Sequence, residues 1–291
     1  MTTEDVALRY RGLDTWPSSE ILEALLERNF SALAAVRAAL GPLERAAEGA
    51  AARLREGSGR LVYAGAGTSG RLAVLDAVEL APTFGWPHER LHYLLAGGEG
   101  ALVRSAEAAE DEAEAGRRRV AEAGVGPDDV FVGVAASGRT PFTVAALEAA
   151  RERGAFTVGL ANNPDTPLLA AAEVGVLLET GPEVIAGSTR LAAGTAQKVA
   201  LNLFSTLLMV RLGRVYSNLM VGVQATNAKL TRRAVDIVAE ISGRPLEEAE
   251  RALEAAGGDP RLAVLVLEGR DPDEARSALE AAGGDLRGVI G

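Results

Sequence analysis

The 291-residue chain has no cysteine, which excludes disulfides and thiolate chemistry and fits a reducing compartment. Histidine is almost as scarce, with only His88 and His92. Their four-residue spacing would suit a metal on a helix, but Tyr93, Leu94 and Leu95 make His92 the start of a strand. No metal site is therefore expected, and a Ser-His-Asp hydrolase lacks candidates. No apolar run approaches the roughly 20 residues of a membrane span. The opening stretch, MTTEDVALRYRGLDTWPSSE, has no basic segment followed by an apolar one, so no secretory leader is expected. Positive charge is outweighed, 30 Lys and Arg against 40 Asp and Glu, a formal net charge of −10. That balance argues against non-specific nucleic-acid binding. It still allows a small anionic ligand, held by a few local cations and helix N-termini. The expectation is a soluble, cytoplasmic protein of one large domain, or one domain with a small appendage.

Hydrophobic residues make up 48% of the chain, enough for a substantial core. Residues 18 to 56 read as helix, broken near Gly41-Pro42, with Ile21, Leu25, Leu33, Val36 and Leu40 as its apolar face and Ser18 or Ser19 as N-cap. From residue 60 the pattern changes. RLVYAG precedes a helix over 69 to 81, and RLHYLLAG precedes an Ala/Glu-rich helix near 100 to 123. DVFVGVAA precedes a helix over 140 to 153, AFTVGLAN a short helix around 167 to 172, and EVGVLLET is a fifth strand. This alternation predicts a doubly wound α/β fold, a five-stranded parallel sheet flanked by helices. Residues 194 to 212 form a long helix apolar on most sides, a core or dimer helix. The tail repeats itself: EEAERALEAAGGD ends at Asp259 and DEARSALEAAGGD at Asp285, 26 residues later. Two such units predict a compact three- or four-helix appendage from about residue 235. The expected division is an N-terminal helical segment over 1–58, a ligand-binding domain over 59–234 and a C-terminal helical appendage over 235–291.

Gly65-x-Gly67-x-x-Gly70, between a strand and a helix, is the spacing of a dinucleotide loop. Such a loop needs an acidic residue about 20 positions on for the ribose. The nearest candidate, Glu99, lies 32 beyond Gly67, so the dinucleotide reading weakens. Thr68 and Ser69 instead put hydroxyls at a helix N-terminus, where a phosphate binds readily. The turn also recurs: TSGR at 68–71 is echoed by ASGR at 136–139, extended by Thr140-Pro141. Two such turns at the carboxyl ends of neighbouring parallel strands would converge on one crevice. A sugar monophosphate site is expected there, with plain Gly-Ser turns as the bland alternative. Arg71 and Arg139 are either its local cations or salt-bridge partners at a dimer interface.

GAGTSGR, ASGRTP and above all GSTRLAAGTAQK (187–198) resemble the SIS-domain family of N-acetylmuramic acid 6-phosphate etherases, to which glucokinase regulatory proteins are related. DAVELAPTFG, AGGEGA, EAAED, GPEVIAGS and NLMVGVQATNAKL resemble further segments of that family, in order from about residue 60 to 230. The resemblance implies a SIS-type sheet and a small, UBA-like helical tail. It implies removal of D-lactate from C3 of a 6-phosphosugar by elimination and then addition of water. Ring opening would give a C1 aldehyde that acidifies the C2 proton. A base would take that proton, an acid would help the C3 oxygen leave, and no metal or redox cofactor would be needed.

By resemblance the two functional glutamates are Glu79, in DAVEL, and Glu110, in EAAED. Leu72, Leu75 and Glu79 share a helical stripe, so Glu79 is expected against buried apolar surface; a structural salt bridge is the alternative. Glu110 stands in an acid-rich helix, and only the resemblance singles it out. The phosphosugar contacts expected are Gly67, Thr68, Ser69, Ser137, Gly138, Arg139 and Thr140, with Ser188, Thr189 and Lys198 close to the crevice by resemblance. Glu79 lies ten residues beyond Ser69, about 15 Å of straight helix. Unless the helix bends early, one subunit does not deliver both, so a homodimer with composite sites is expected. Three departures bear on the substrate: Ala193 where the family usually has lysine, Gly222 where it usually has aspartate, and LRYRGLDTW where it has an Arg-Asn run. A non-catalytic sugar-phosphate sensor that binds a partner protein, and a phosphosugar isomerase, are the competing readings. Retention of both glutamates speaks against the first, and GSTRLAAGTAQK against the second.

Overall fold

The computed structural model describes residues 1–55, 57–104, 106–223 and 227–290. Gln224, Ala225 and Thr226, within one of the segments that carry the resemblance, lie outside the described residues. The chain divides into two compact units, Met1–Ala77 with Leu91–Ser205, and Val78–Arg90 with Thr206–Gly291. No described helix is long and apolar enough to cross a membrane.

The first unit opens with α1 (Ser18–Ala38) and α2 (Leu40–Arg55). The break falls at Ala39, not at Gly41-Pro42. Pro42 lies in the first turn of α2, where its missing N–H has no intrahelical acceptor to lose. Neither Ser18 nor Ser19 caps α1. Pro17 holds the N-cap position without a side-chain bond, and its carbonyl accepts from the Glu20 and Ile21 N–H groups. The buried face of α1 is made of Ala24, Ala32, Ala35 and Val36, while Leu33 and Leu40 are 45% and 50% exposed. Alanine allows closer backbone approach than leucine, so the small residues face inward. The larger ones, with Leu22, Leu26 and Phe30, form an exposed stripe.

Five short strands follow: β1 (Leu61–Gly65), β2 (Leu91–Leu95), β3 (Val130–Ala135), β4 (Phe156–Ala161) and β5 (Val174–Leu177). They form one parallel sheet in the order β2-β1-β3-β4-β5. The central strands β1, β3 and β4 are buried throughout, as near-continuous apolar runs require when helices cover both faces. Along β1, Val62 and Ala64 join a cluster with Phe131, Val120 and Phe142, whereas Tyr63 points to the opposite face. β1 is followed by α3 (Gly67–Val78), then α4 (Leu80–Phe84) in the second unit. β2 leads through 3-10 turns to α5 (Ala113–Glu122), β3 to α6 (Pro141–Glu152) and β4 to α7 (Pro167–Ala171). The long helix α8 (Ala192–Arg211) buries Ala196, Ala200, Leu201, Phe204 and Leu208 and leaves Leu203 41% exposed.

Two expected helices are shorter than their periodicity suggests. The helix of 69–81 ends at Val78, and that of 100–123 is reduced to α5 behind the 3-10 turns Glu99–Leu102 and Glu107–Asp111. In the first of those turns the Ala101 and Leu102 carbonyls accept from Arg71 Nε at 3.0 and 3.2 Å, so a side chain of α3 takes their bonding.

The second unit contains α9 (Ala228–Ser242), α10 (Leu246–Ala255), α11 (Pro260–Leu267), α12 (Pro272–Ala281) and α13 (Leu286–Ile290). Among the described residues the tail thus has five helices, from Ala228, rather than three or four from about 235. Its repeat is conformational as well as sequential. Gly257-Gly258 has φ of 64° and 86°, and Gly283-Gly284 has 63° and 85°, left-handed values that glycine adopts without a Cβ penalty. Val235, Val238, Leu253, Leu262 and Val264 form the core between these helices.

Candidate active site

The sheet order reverses direction between β1 and β3, since the chain passes from β1 outward to β2 and returns on the other side. Ligands of such sheets bind outside the carboxyl ends of the strands at this switch point. Gly65 pairs with Val134, so the two Ser-Gly-Arg turns emerge side by side. In the first, Gly67 has φ of +53° and opens α3, with Thr68 and buried Ser69 in the first helical turn. Gly65 and Gly70 are needed for contact: a Cβ on Gly70 would stand 2.8 Å from the Gly65 carbonyl oxygen and 2.3 Å from Leu95 Cδ1. Helix–strand packing thus accounts for two of the three fingerprint glycines without any dinucleotide.

In the second turn, Ser137 Oγ accepts from the Arg139 N–H at 3.2 Å, and Gly138 has φ of +66°. A side chain at Gly138 would meet Thr166 Oγ1 at 2.4 Å. Thr140 stands at the N-cap of α6 with its hydroxyl unused for capping, followed by Pro141. Exposed Arg139 donates to the Asp165 carbonyl at 3.1 Å. Arg71 and Arg139 thus each tie down a neighbouring loop, and neither forms an ion pair among the described residues.

A third segment joins these turns. The Gly194 N–H donates to the Thr189 carbonyl at 2.8 Å, and a Cβ on Gly194 would lie 3.6 Å from Thr68 Cγ2. The Ser188-Thr189 loop and the start of α8 therefore sit against the start of α3. Lys198, one turn on, is exposed. The structure thus gathers three glycine- and hydroxyl-rich segments, with their helix N-termini, around the switch point.

Buried acids hold this arrangement from below. Glu183, 1% exposed, accepts from the Ala192 and Ala193 N–H groups at 3.0 and 2.9 Å and so caps α8. Asp76, 5% exposed, accepts from Tyr63 OH at 2.9 Å, Asn202 Nδ2 at 2.7 Å and Ser205 Oγ at 3.0 Å, locking α3 to β1 and α8. Burial raises the Asp76 carboxyl above its ordinary range, against those hydrogen bonds and the Lys198 charge. The Tyr63 phenol is pushed well above its ordinary value, first by burial and then by Asp76. Beneath β4, Asn162 donates to the Leu178 carbonyl at 3.0 Å and accepts from Gln197 Nε2 at 2.9 Å. Sequence reading passed over Asp76, Glu183 and Asn162. The available signal was a lone acid or amide inside an apolar stretch, such as Asp76 in RLAVLDAVEL.

The two expected glutamates are placed differently from the crevice residues. Glu79 stands at the junction of α3 and α4, and it is exposed, with Leu75 at 51% and Val78 at 45% beside it in sequence. The expectation that this stripe is buried therefore fails within one chain: α3 turns Ala73, Val74, Asp76 and Ala77 inward, leaves Leu72 half-buried and exposes Leu75, Val78 and Glu79. Glu110 lies in the Glu107–Asp111 turn and is likewise exposed, not part of a long helix.

Family models match over two stretches: the glucokinase regulatory protein N-terminal SIS domain over residues 45–151 and the SIS domain over 112–207. The chain is 53% identical to the N-acetylmuramic acid 6-phosphate etherase of Deinococcus radiodurans, over 91% of this chain and 87% of that protein. It is 51% identical to the enzyme of the same name from Symbiobacterium thermophilum, over 88% and 84% of the two chains. The chain belongs to the N-acetylmuramic acid 6-phosphate etherase family. The family's sheet extends to more distant proteins. A Bacteroides fragilis crystal structure described as a phosphosugar isomerase involved in capsule formation superposes with a TM-score of 0.53 at 20% identity. It covers 69% of this chain and 95% of its own, a likeness of fold.

Within the etherase family the two substituted positions have local reasons. Ala193 is fully buried with its N–H committed to Glu183. A Cβ on Gly222 would lie 2.1 Å from the Phe84 carbonyl oxygen, so this backbone approach excludes the expected aspartate. The structure gives no account of the missing Arg-Asn run.

Proposed function

We propose that the chain is a carbon–oxygen lyase that cleaves the D-lactyl ether of N-acetylmuramic acid 6-phosphate, giving N-acetylglucosamine 6-phosphate and D-lactate. The observation that carries this is 53% identity to an etherase over 91% of the chain. In this reading Gly67, Thr68 and Ser69, with Ser137, Gly138, Arg139 and Thr140, hold the phosphosugar through backbone N–H groups, hydroxyls and one guanidinium. Ser188, Thr189 and Lys198 flank it. Glu79 and Glu110 exchange the C2 proton and assist departure of the C3 oxygen. We assign the reaction to peptidoglycan recycling in the cytoplasm.

The active unit in this reading is a homodimer with shared sites. Two features support it. α3 runs unbroken from Gly67 to Val78, so no early bend returns Glu79 toward Ser69. The first unit also leaves Leu22, Leu26, Phe30 and Leu33 exposed at helical spacing on α1, with Leu75 and Leu203 exposed elsewhere, apolar surface that a second copy would cover. Incubation with N-acetylmuramic acid 6-phosphate in ¹⁸O-water should release D-lactate and place label at C3, and Glu79→Gln should abolish both. Tight sugar-phosphate binding without lactate release would overturn the lyase reading. A mixed population of Glu79→Gln and Ser69→Ala chains should regain activity that neither has alone; no recovery would refute the shared site.

A further inference from the structure

The N-terminal segment is fastened to the wall of the crevice at two points. Thr3 is fully buried and Asn163 is 5% exposed. The Thr3 N–H donates to Asn163 Oδ1 at 2.8 Å, and Asn163 Nδ2 donates to Thr3 Oγ1 at 2.9 Å. Asn163 lies just beyond the carboxyl end of β4. The Asn162 N–H beside it donates at 2.9 Å to the carbonyl of Ala136, the residue before Ser137. Farther along, Tyr10 packs in a buried cluster with Val184. Val6, Ala7 and Leu8 line one cavity with Val184, Ile185 and Ala186, the residues that lead into Gly187-Ser188.

Glu4 stands between these anchors. Its Oε1 accepts from Thr3 Oγ1 at 3.0 Å, and its Oε2 would lie 3.9 Å from a Cβ on Gly187. Gly187 has φ of +74° and directly precedes Ser188, in the loop that sits against the start of α3. Oε2 accepts no hydrogen bond among the described residues, and Glu4 forms no ion pair there. A carboxylate with one oxygen fixed and the other free is a ready acceptor for a neutral donor. Its charge repels a phosphate, so the group it suits is a hydroxyl on the sugar.

We infer that Glu4 is a further substrate-binding residue, accepting a hydrogen bond from a sugar hydroxyl at the lip of the crevice, an inference that rests on the phosphosugar reading of that crevice. Isothermal titration with N-acetylglucosamine 6-phosphate, and its displacement by inorganic phosphate, separates contact with the sugar from contact with the phosphate. Glu4 is exposed, so its replacement leaves the core intact. Glu4→Gln keeps an oxygen for Thr3 but loses the charge, and it should weaken sugar-phosphate binding severalfold. Glu4→Ala should weaken it roughly tenfold. In both variants the affinity for inorganic phosphate should stay at the parent value or rise, because a nearby anion has gone. A segment that served only as a structural strap would weaken both ligands alike. Parent-like sugar-phosphate affinity in Glu4→Ala, or equal weakening of both ligands, would overturn the contact and leave the phosphosugar reading standing. No binding of N-acetylglucosamine 6-phosphate by the parent protein would overturn that reading and the contact with it.

Discussion

Replacing Asp76 tests the claim that a buried carboxylate, not the surface glutamates, holds the crevice segments in place. Asp76→Ala removes the acceptor for three donors. Tyr63 is fully buried and Ser205 is 3% exposed, so neither regains water easily. Each buried donor left unmet costs about 1–3 kcal/mol. Relief of the carboxylate's own desolvation returns part of this, for a net loss of roughly 2–5 kcal/mol. At about 2–4 °C per kcal/mol for a unit of this size, Tm should fall by roughly 5–15 °C. Asp76→Asn keeps one acceptor oxygen and can donate to Tyr63, so it should lose less than half as much. The pH dependence adds a second arm. The folded carboxyl holds its proton to higher pH than the unfolded one, so the folded state binds more protons as pH falls from neutral toward about 4. Wild type should therefore gain stability relative to Asp76→Asn over that interval. Differential scanning calorimetry of the three proteins between pH 4 and 8 measures both effects. Equal melting temperatures for Asp76→Ala and wild type, or a wild-type advantage that grows as pH rises, would refute the reasoning.

Asp129 should show the opposite slope. Burial works to raise its carboxyl, but hydrogen bonds from the Arg60 side chain, from the Arg60 N–H and from the Gly126 N–H outweigh this and lower it. Its stabilisation is present above the unfolded pKa and is lost as pH falls through the lower folded one, so Asp129→Asn should be most damaging near neutrality in a pH series of urea melts. Gly138→Ala meets both φ of +66° and Thr166 Oγ1 at 2.4 Å. It should cost about 1–3 kcal/mol and weaken sugar-phosphate binding by calorimetry, whereas Gly124→Ala, with open space around it, should leave binding unchanged. Glu183→Gln keeps one acceptor for the two α8 N–H groups and should lower unfolding free energy in urea melts by about 1–2 kcal/mol, and Glu183→Ala by more.

The order of elements was legible because it is written in local periodicity. Apolar runs of four to six residues, each followed by a helix-like stretch, suffice for a parallel sheet. The turn fingerprint was equally local: Gly67 and Gly138 are named by the left-handed backbone their turns need. Even the paired tail helices follow from Gly257-Gly258 and Gly283-Gly284. What periodicity could not tell was which side of a helix faces inward. On α1 both the alanine side and the leucine side repeat at three and four residues, and α3 likewise offers two faces. Burial was settled by what packs against them, so the alanines and Asp76 went in, and Leu26, Phe30 and Leu75 stayed out.

The sequence by itself therefore determined the strand–helix alternation, the two Ser-Gly-Arg turns and the family, since each is carried by residues near one another in the chain. Only the tertiary structure decided that those turns emerge from paired strands, that Gly194 meets Thr68, and that Asp76 finds Asn202 and Ser205 more than 120 residues away. Such contacts join segments whose separation along the chain leaves no local trace. A buried carboxylate among apolar neighbours is stable only once its distant donors arrive.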